Sequence, residues 1–395
     1  MKKSTYILVL ALLSSNFLDI RPFGDWLSMS NGLWGLVALY LWVAGGFLKF
    51  NRFGYPYLYT SKNIAPSFWI LAGVFLSMIP ALYFYGQPLL TSLVAYRVQY
   101  FWVTIPLLLY IRPTEEDLIK SLTIFSILFF LSALLRTYVS SNWFYYSESF
   151  AQYAERHPED VICSAGYQLV LVPFYYYCGK VREYFSLKNA IIVVLFLAFF
   201  LIIQNRSVLF VAALIAMLSI LKGGGIFRFF FVAIILGVLL YQTKDIWSAL
   251  LEETTAQVND TDYARFRSIQ FFLNESKGSL AKTIFGNGLL SAHVSTRNME
   301  LSEMGVYNSD VGLIGYWNFY GIIPVIVIVY YLFKAVFAKR IPFSVRALGL
   351  HILLCSGTIS YFGTYALILW FAFFYYLFVY YRDQNSQIYG ASVGS

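Results

Sequence analysis

Apolar runs of roughly 15 to 25 residues recur from one end of the chain to the other, separated by short polar turns. An α-helix needs about 20 apolar residues to cross the ~30 Å hydrocarbon core of a bilayer, so each run reads as a candidate span. The candidates cover residues 5–19, 31–48, 64–84, 95–111, 121–138, 166–179, 189–204, 207–221, 228–242, 308–333, 347–363 and 364–381. The pattern predicts an all-α polytopic membrane protein with about twelve transmembrane helices, an even number that leaves both termini on one side. Residues 1–382 are expected to form a single transmembrane domain. Within it, residues 243–307 make a large, partly helical extracytoplasmic loop, and residues 383–395 are left as a short, polar, disordered tail.

Composition supports this picture. The 395 residues are 59% hydrophobic and only 12% charged, with a mean hydropathy of +0.65; soluble domains carry about a quarter charged residues. A net charge of +8 would suit a polyanionic partner, but its distribution argues against nucleic acid. With a cytoplasmic N-terminus, seventeen of the 28 basic residues fall on the inner side. The outer short loops and helix ends hold five: Arg21, Arg97, Arg136, Arg156 and Arg206. That asymmetry is the positive-inside pattern of a membrane protein with N- and C-termini in the cytoplasm. The other six, Lys244, Arg265, Arg267, Lys277, Lys282 and Arg297, belong to the long loop, where the rule is weak. Met1-Lys2-Lys3 before an apolar run resembles a signal peptide, but Ala11 to Asn16 offers no convincing cleavage site, so a retained first helix is expected.

Two outer segments are long enough to carry structure. Residues 140–165 contain Trp143-Phe144-Tyr145-Tyr146, which reads as an interfacial anchor, and the charged run Glu155 to Asp160. In the second, residues 262–273 place Phe266, Ile269, Phe272 and Leu273 at helical spacing, predicting an amphipathic helix against the membrane or capping the bundle. No internal repeat supports an inverted-repeat transporter.

Ionisable residues near membrane depth are costly and tend to mark substrate paths. Arg206, in the turn Gln204-Asn205-Arg206-Ser207 between two apolar helices, is either an interfacial residue that snorkels to lipid phosphates or a cation aimed at an anionic group. Arg265 and Arg267 flank Phe266 and project about 200° apart on a helix, so at most one is expected to face the same cavity as Arg206. Gly286 and Gly288 permit a tight turn or a close backbone approach to a ligand, without a Walker lysine or dinucleotide fingerprint. Tyr307-Asn308-Ser309-Asp310 precedes a late span. There Asn308 or Ser309 suits an N-cap, and Asp310 suits either the first helical turn or the role of a base. His351 reads as a packed residue within a span, whereas His157 and His293 fall in outer loops. Neither the histidines nor Cys163, Cys178 and Cys355 have metal-ligand spacing, so no metal or cofactor is expected.

The order of these features resembles the bacterial O-antigen polymerase and O-antigen ligase superfamily, the Wzy-type polymerases in particular. The resemblance rests on Asn205-Arg206-Ser207 opening a helix, an arginine-bearing loop helix at Ala264 to Arg267, the Phe285-Gly286-Asn287-Gly288 turn, and the Asn308 to Gly315 helix start with Gly321 beyond it. It spans residues 190–333, and Arg267 and Gly278 also show an Arg-x10-Gly spacing. It implies a bundle similar to other lipid-carrier (GT-C-like) glycosyltransferases, in the bacterial inner membrane, with a cavity open to the outside. The implied activity joins undecaprenyl-diphosphate-linked oligosaccharides and releases undecaprenyl diphosphate, with neither metal nor nucleotide sugar. Donor and acceptor lipid-linked oligosaccharides, membrane lipids, a chain-length regulator and a flippase are the implied partners. Arg206 and one of Arg265 or Arg267 match the family's arginines, and guanidinium groups in a dry pocket stabilise a departing diphosphate. Asn205, Gly286, Gly288, His293, Tyr307 and Asn308 are the residues expected to line the substrate.

The chain departs from the ligases at Tyr307, where those enzymes typically carry a histidine before the Asn. This favours a polymerase and leaves Asp310, Glu303 or His293 as substitutes for a base. The chief competing reading is a flippase for the same lipid-linked sugars, which would be expected to hold its cations inside the bundle and to have short loops on both sides.

Overall fold

The computed structural model describes residues 3–15, 60–138, 166–203, 206–222, 264–277, 279–291, 300–301, 303–306, 311–357 and 362–393, with the single residues 228, 230 and 237. Every regular element among them is a helix. The expected spans at 31–48 and 228–242 and the outer segment 140–165 lie outside the described residues, apart from those three single positions.

Helix α1 covers Lys3–Ser14. Helices α2 (Ser61–Leu76) and α3 (Met78–Tyr85) follow one another as an apolar stretch of 25 residues. It opens on Thr60, whose side chain accepts from the Asn63 amide at 3.3 Å. The next stretch, Leu89–Ile111, is 23 residues long and is not uniform. Helix α4 (Leu89–Ala95) tightens into a 3-10 helix over Tyr96–Val103 before α5 (Thr104–Ile111) resumes. Helix α6 (Glu115–Tyr138) begins with Glu115, Glu116 and Asp117, which suit the helix dipole. Thr114 and Asp117 cap each other there, with the Asp117 amide donating to Thr114 Oγ1 at 3.1 Å.

A short 3-10 turn leads into α7 (Leu171–Glu183), followed by α8 (Leu187–Ile203) and α9 (Arg206–Leu221). The loop region contributes α10 (Ala264–Lys277) and α11 (Leu280–Phe285). The expected late span at 308–333 is two helices, α12 (Gly312–Tyr320) and α13 (Ile322–Val336), separated by Gly321 at φ 78°. Its start also moves, because Val311 rather than Asn308 or Ser309 holds the N-cap position. Helices α14 (Phe343–Cys355) and α15 (Tyr365–Val393) complete the described structure. The segment from Asp383 is helical to Val393, because it continues α15 instead of starting a separate tail.

Among the described residues, three helices are long and apolar enough to cross a membrane: Ser61–Tyr85, Leu89–Ile111 and Tyr365–Gln384. The other apolar helices, α1, α8, α9, α13 and α14, are shorter. The chain is therefore a helical, membrane-embedded protein.

Helix α15 is the centre of the bundle. Its apolar stretch is 83% buried against 44% for Ser61–Tyr85, whose Phe68, Trp69, Ile79 and Tyr83 face outward. Around α15 pack α1, α5, the Tyr96–Val103 segment, α7 and α14. Trp370, Phe371, Tyr375 and Tyr376 are wholly enclosed. His351 on α14 is enclosed too, in hydrogen-bond contact with Tyr175, as expected of a packed histidine.

Long-range contacts gather the helix ends into two groups. At one end Lys3 donates to the Arg112 carbonyl at 2.8 Å, Tyr375 to the Asn63 carbonyl at 2.9 Å, and Arg346 to the Val336 carbonyl at 3.0 Å. Arg182 lies 4.1 Å from the centre of the Phe343 ring. This end is rich in basic residues. At the opposite end Leu313 donates to the Ser356 carbonyl at 2.9 Å, and α10, α11 and α12 pack on one another.

Candidate functional site

Helix α10 forms because one face of residues 264–277 is apolar. Phe272, 1% exposed, packs with Leu301, Val306 and Val311, with Ile269, Phe271 and Ile314 around them. Phe266 remains 52% exposed beside that stripe. The helix rests on α11 and α12 and so caps that end of the bundle.

Beyond α11 the chain turns at Gly286 and Gly288, with φ of 77° and 79°. Only glycine adopts such backbone at low cost. The Asn287 amide donates to the Asn318 carbonyl at 2.7 Å and the Gly288 amide to the Phe319 carbonyl at 2.9 Å. Farther along, the Leu289 amide donates to the Tyr96 hydroxyl at 2.8 Å, and the Ser291 amide to Gln87 Oε1 at 2.7 Å. Gln87 Nε2 returns a bond to the Leu289 carbonyl at 3.1 Å. The loop is thus inserted among α3, the Tyr96–Val103 segment and α12. A Cβ on Gly286 would meet the Phe319 carbonyl, and one on Gly321 the Ile284 carbonyl, so the two turns interlock. At Gly288 the crowding atoms are Ala81 Cβ, the Ser77 carbonyl and the Tyr96 hydroxyl. Protein, therefore, makes the close approaches that require glycine here.

The tight helix at Tyr96–Val103 explains the next layer. Residues three apart in a 3-10 helix lie one above another, which aligns Tyr96, Gln99 and Trp102 toward α12. Gln99 donates to the Phe362 carbonyl at 2.7 Å and accepts from Tyr316 at 2.8 Å and Trp102 at 3.1 Å. Backbone outside regular helix within a bilayer must be satisfied by protein, and Gln99 does this for the Phe362 carbonyl.

Polar side chains also collect between the cap and α12. Glu275 on α10 accepts from Asn318 Nδ2 at 3.0 Å and lies 4.0 Å from the Lys282 ammonium. That ammonium sits 5.1 Å and 5.6 Å from the centres of the Phe84 and Tyr85 rings. The Tyr85 hydroxyl donates to Asn287 Oδ1 at 3.2 Å.

No protein-family model matches the chain, and no curated protein matches it. Arg206 opens α9, as the Asn-Arg-Ser pattern suggested; its side chain lies outside what is described. Arg265 is half-buried, while Arg267 is exposed and donates to the Met304 carbonyl at 2.9 Å, beside Gly305. Helix α9 packs chiefly on α7, α8 and α14, and α10 on α11 and α12, so their principal partners differ. Asn205, His293, Tyr307, Asn308 and Asp310 lie outside the described residues, and Glu303 is exposed. Among the described residues no three metal-ligating side chains converge.

Sequence reading named Lys282 only as a loop cation and Asn287 only as part of the glycine turn, and did not single out Glu275 or Asn318. No local signal joins them, because Asn318 and Glu275 are 43 residues apart and meet only through the packing of α10 on α12. The arrangement offers an arginine-bearing cap, a half-buried carboxylate beside an ammonium, and two buried amides: groups that bind and orient polar, oxygen-rich ligands at the end of a membrane bundle.

Proposed function

We propose that this chain is a Wzy-type polymerase. It joins undecaprenyl-diphosphate-linked oligosaccharides into O-antigen, capsular or exopolysaccharide chains at the outer face of a bacterial inner membrane. In this reading the bundle has about twelve spans, and the end rich in Lys3, Arg112, Arg182 and Arg346 is cytoplasmic, as the positive-inside rule requires. The observation that carries the reading is the folded cap of α10 to α12, which holds Arg265 and Arg267 at the end away from those residues.

Arg206 and one of Arg265 or Arg267 receive the departing diphosphate. Its charge grows in the transition state, and fixed guanidinium donors stabilise it most in a water-poor site. Arg265 suits this role better, since it is half-buried where Arg267 is exposed, and a guanidinium sheltered from water holds a phosphate more strongly. Asp310 is the proposed base for the acceptor hydroxyl, and Asn205, His293, Tyr307 and Asn308 line the substrate. Gly286 and Gly288 contribute by seating the loop against α3 and α12.

Arg206→Ala is expected to abolish polymer while single repeat units still reach the cell surface. Long chains persisting in that variant would overturn the assignment. A lipid-linked oligosaccharide flippase is the second reading. It draws on the helix interruptions at Tyr96–Val103 and Gly321, since broken helices recur in transporters. Translocation of a labelled lipid-linked sugar by the reconstituted protein, with no change in its length, would decide for it.

A further inference from the structure

The side chains around Glu275 close into a ring. Asn287 accepts from the Tyr85 hydroxyl at 3.2 Å, and the Tyr85 ring lies 5.6 Å from the Lys282 ammonium. Lys282 is 4.0 Å from Glu275, which accepts from Asn318 at 3.0 Å, and the Asn318 carbonyl accepts from the Asn287 amide at 2.7 Å. Two atoms of this ring have no hydrogen-bond partner among the described residues: Asn287 Nδ2 and Asn318 Oδ1. Both residues are 1% exposed. Buried polar atoms are seldom left this way, so each such pair calls for an explanation.

One amide donor and one amide acceptor together complement a hydroxyl, which donates and accepts at once. The rim repeats that complement in charged form. Lys282 donates and Glu275 accepts, and their side chains keep 21% and 17% exposure, within reach of a ligand from outside. Phe84, 41% exposed and 5.1 Å below the ammonium, adds an apolar face. An anion would meet Glu275, a cation would meet Lys282, and an apolar ligand would leave the two amide atoms unmet. A compact ring bearing several hydroxyls and some C–H surface satisfies them.

We propose that Glu275, Lys282, Asn287 and Asn318 form a subsite for the hydroxyl groups of a sugar ring. As a place for part of the oligosaccharide it rests on the glycan-joining reading; as a hydroxyl-binding site it stands on the geometry. Entry from the rim engages Glu275 and Lys282 first, and the two amides lie on the buried side of the same ring.

Saturation-transfer NMR on the detergent-solubilised full chain tests this, using free glucose, galactose, mannose and N-acetylglucosamine as probes. Wild-type protein should transfer saturation to the ring protons of at least one sugar. Glu275→Gln and Lys282→Met should each weaken binding by about ten-fold, in line with the loss of one charge-assisted bond. Lys334→Met, at the other end of the bundle, should bind as wild type does. Lys282→Met serves where Glu275→Gln lowers the unfolding temperature, because its ammonium lies at the rim. No transfer to any sugar, or equal transfer in both rim variants, would mean that water alone occupies the ring, and would overturn the proposal. Polymer formation is scored separately through Arg206→Ala. Polymer that survives in that variant removes the polymerase while leaving the sugar subsite intact, and sugar binding that fails leaves the polymerase standing.

Discussion

The heart of the bundle and the cap solve the same problem, satisfying polar backbone next to lipid, with opposite materials. Around α15 the closure is made by large rings, among them Trp370, Phe371, Tyr375 and Tyr376, and the polar atoms of Gln99, Trp102 and Tyr316 satisfy one another. In the cap it is made by glycines that let backbones touch, at Gly286 and Gly321, and by side chains that bond to loop backbone, such as Gln87 and Tyr96. Lipid tails are as apolar as any side chain, so helices in a bilayer associate through packing and hydrogen bonds more than through water exclusion. Dense aromatic packing therefore suits the part that must not move. The cap keeps partly exposed charges and two buried amide atoms without partners among the described residues.

Substitutions sharpen that contrast, and the largest effect should fall on the interlocked turns. Gly321 has φ 78° and ψ 179°, a region nearly closed to other residues, and an added Cβ would strike the Ile284 carbonyl. Gly321→Ala should cost about 3 kcal/mol or more, seen as loss of a monodisperse peak on size-exclusion chromatography. A well-behaved, wild-type-like Gly321→Ala would show that the cap is not rigidly interlocked. In the heart, Gln99→Leu deprives the Phe362 carbonyl, Trp102 and Tyr316 of a partner, for a loss of about 2–3 kcal/mol in thermal or SDS unfolding.

At the cap, Gln87→Leu removes two bonds to the loop, one at the Leu289 carbonyl and one at the Ser291 amide. A smaller loss of about 1–2 kcal/mol is expected, appearing as faster protease cleavage near Ser291 with little change in global unfolding. If Gln87→Leu instead lowers global stability as much as Gln99→Leu, cap and heart are one cooperative unit. The smallest effect belongs to Arg182→Met at the basic end, where a single cation over the Phe343 ring should contribute about 0.5–1 kcal/mol.

Much of the helical framework was visible in the pattern of apolar runs: 64–84 is realised as Ser61–Tyr85, 189–204 as Leu187–Ile203 and 207–221 as Arg206–Leu221. The cap helix was visible as well, although Phe266 stays exposed beside the buried stripe of Ile269 and Phe272. The interruptions were not. Nothing local distinguishes Tyr96-Arg97-Val98-Gln99 from ordinary helix, and Gly321, named only as part of the family resemblance, lies in an apolar run expected to be one span. Both depend on what lies opposite: Leu289 and Tyr316 for the first, the Ile284 carbonyl for the second.

Local chemistry, repeated every few residues, determined that this is a helical membrane protein, where most of its helices run, and that one polar loop carries a helix with two arginines. Helix periodicity is a short-range property, readable from neighbours in the chain. Only the tertiary structure brought Glu275 to Asn318 and Asn63 to Asp383, pairs 43 and 320 residues apart, and only it turned two glycines into an interlocking joint. Such contacts arise from how finished helices pack, and packing depends on the shapes of surfaces that no single segment contains.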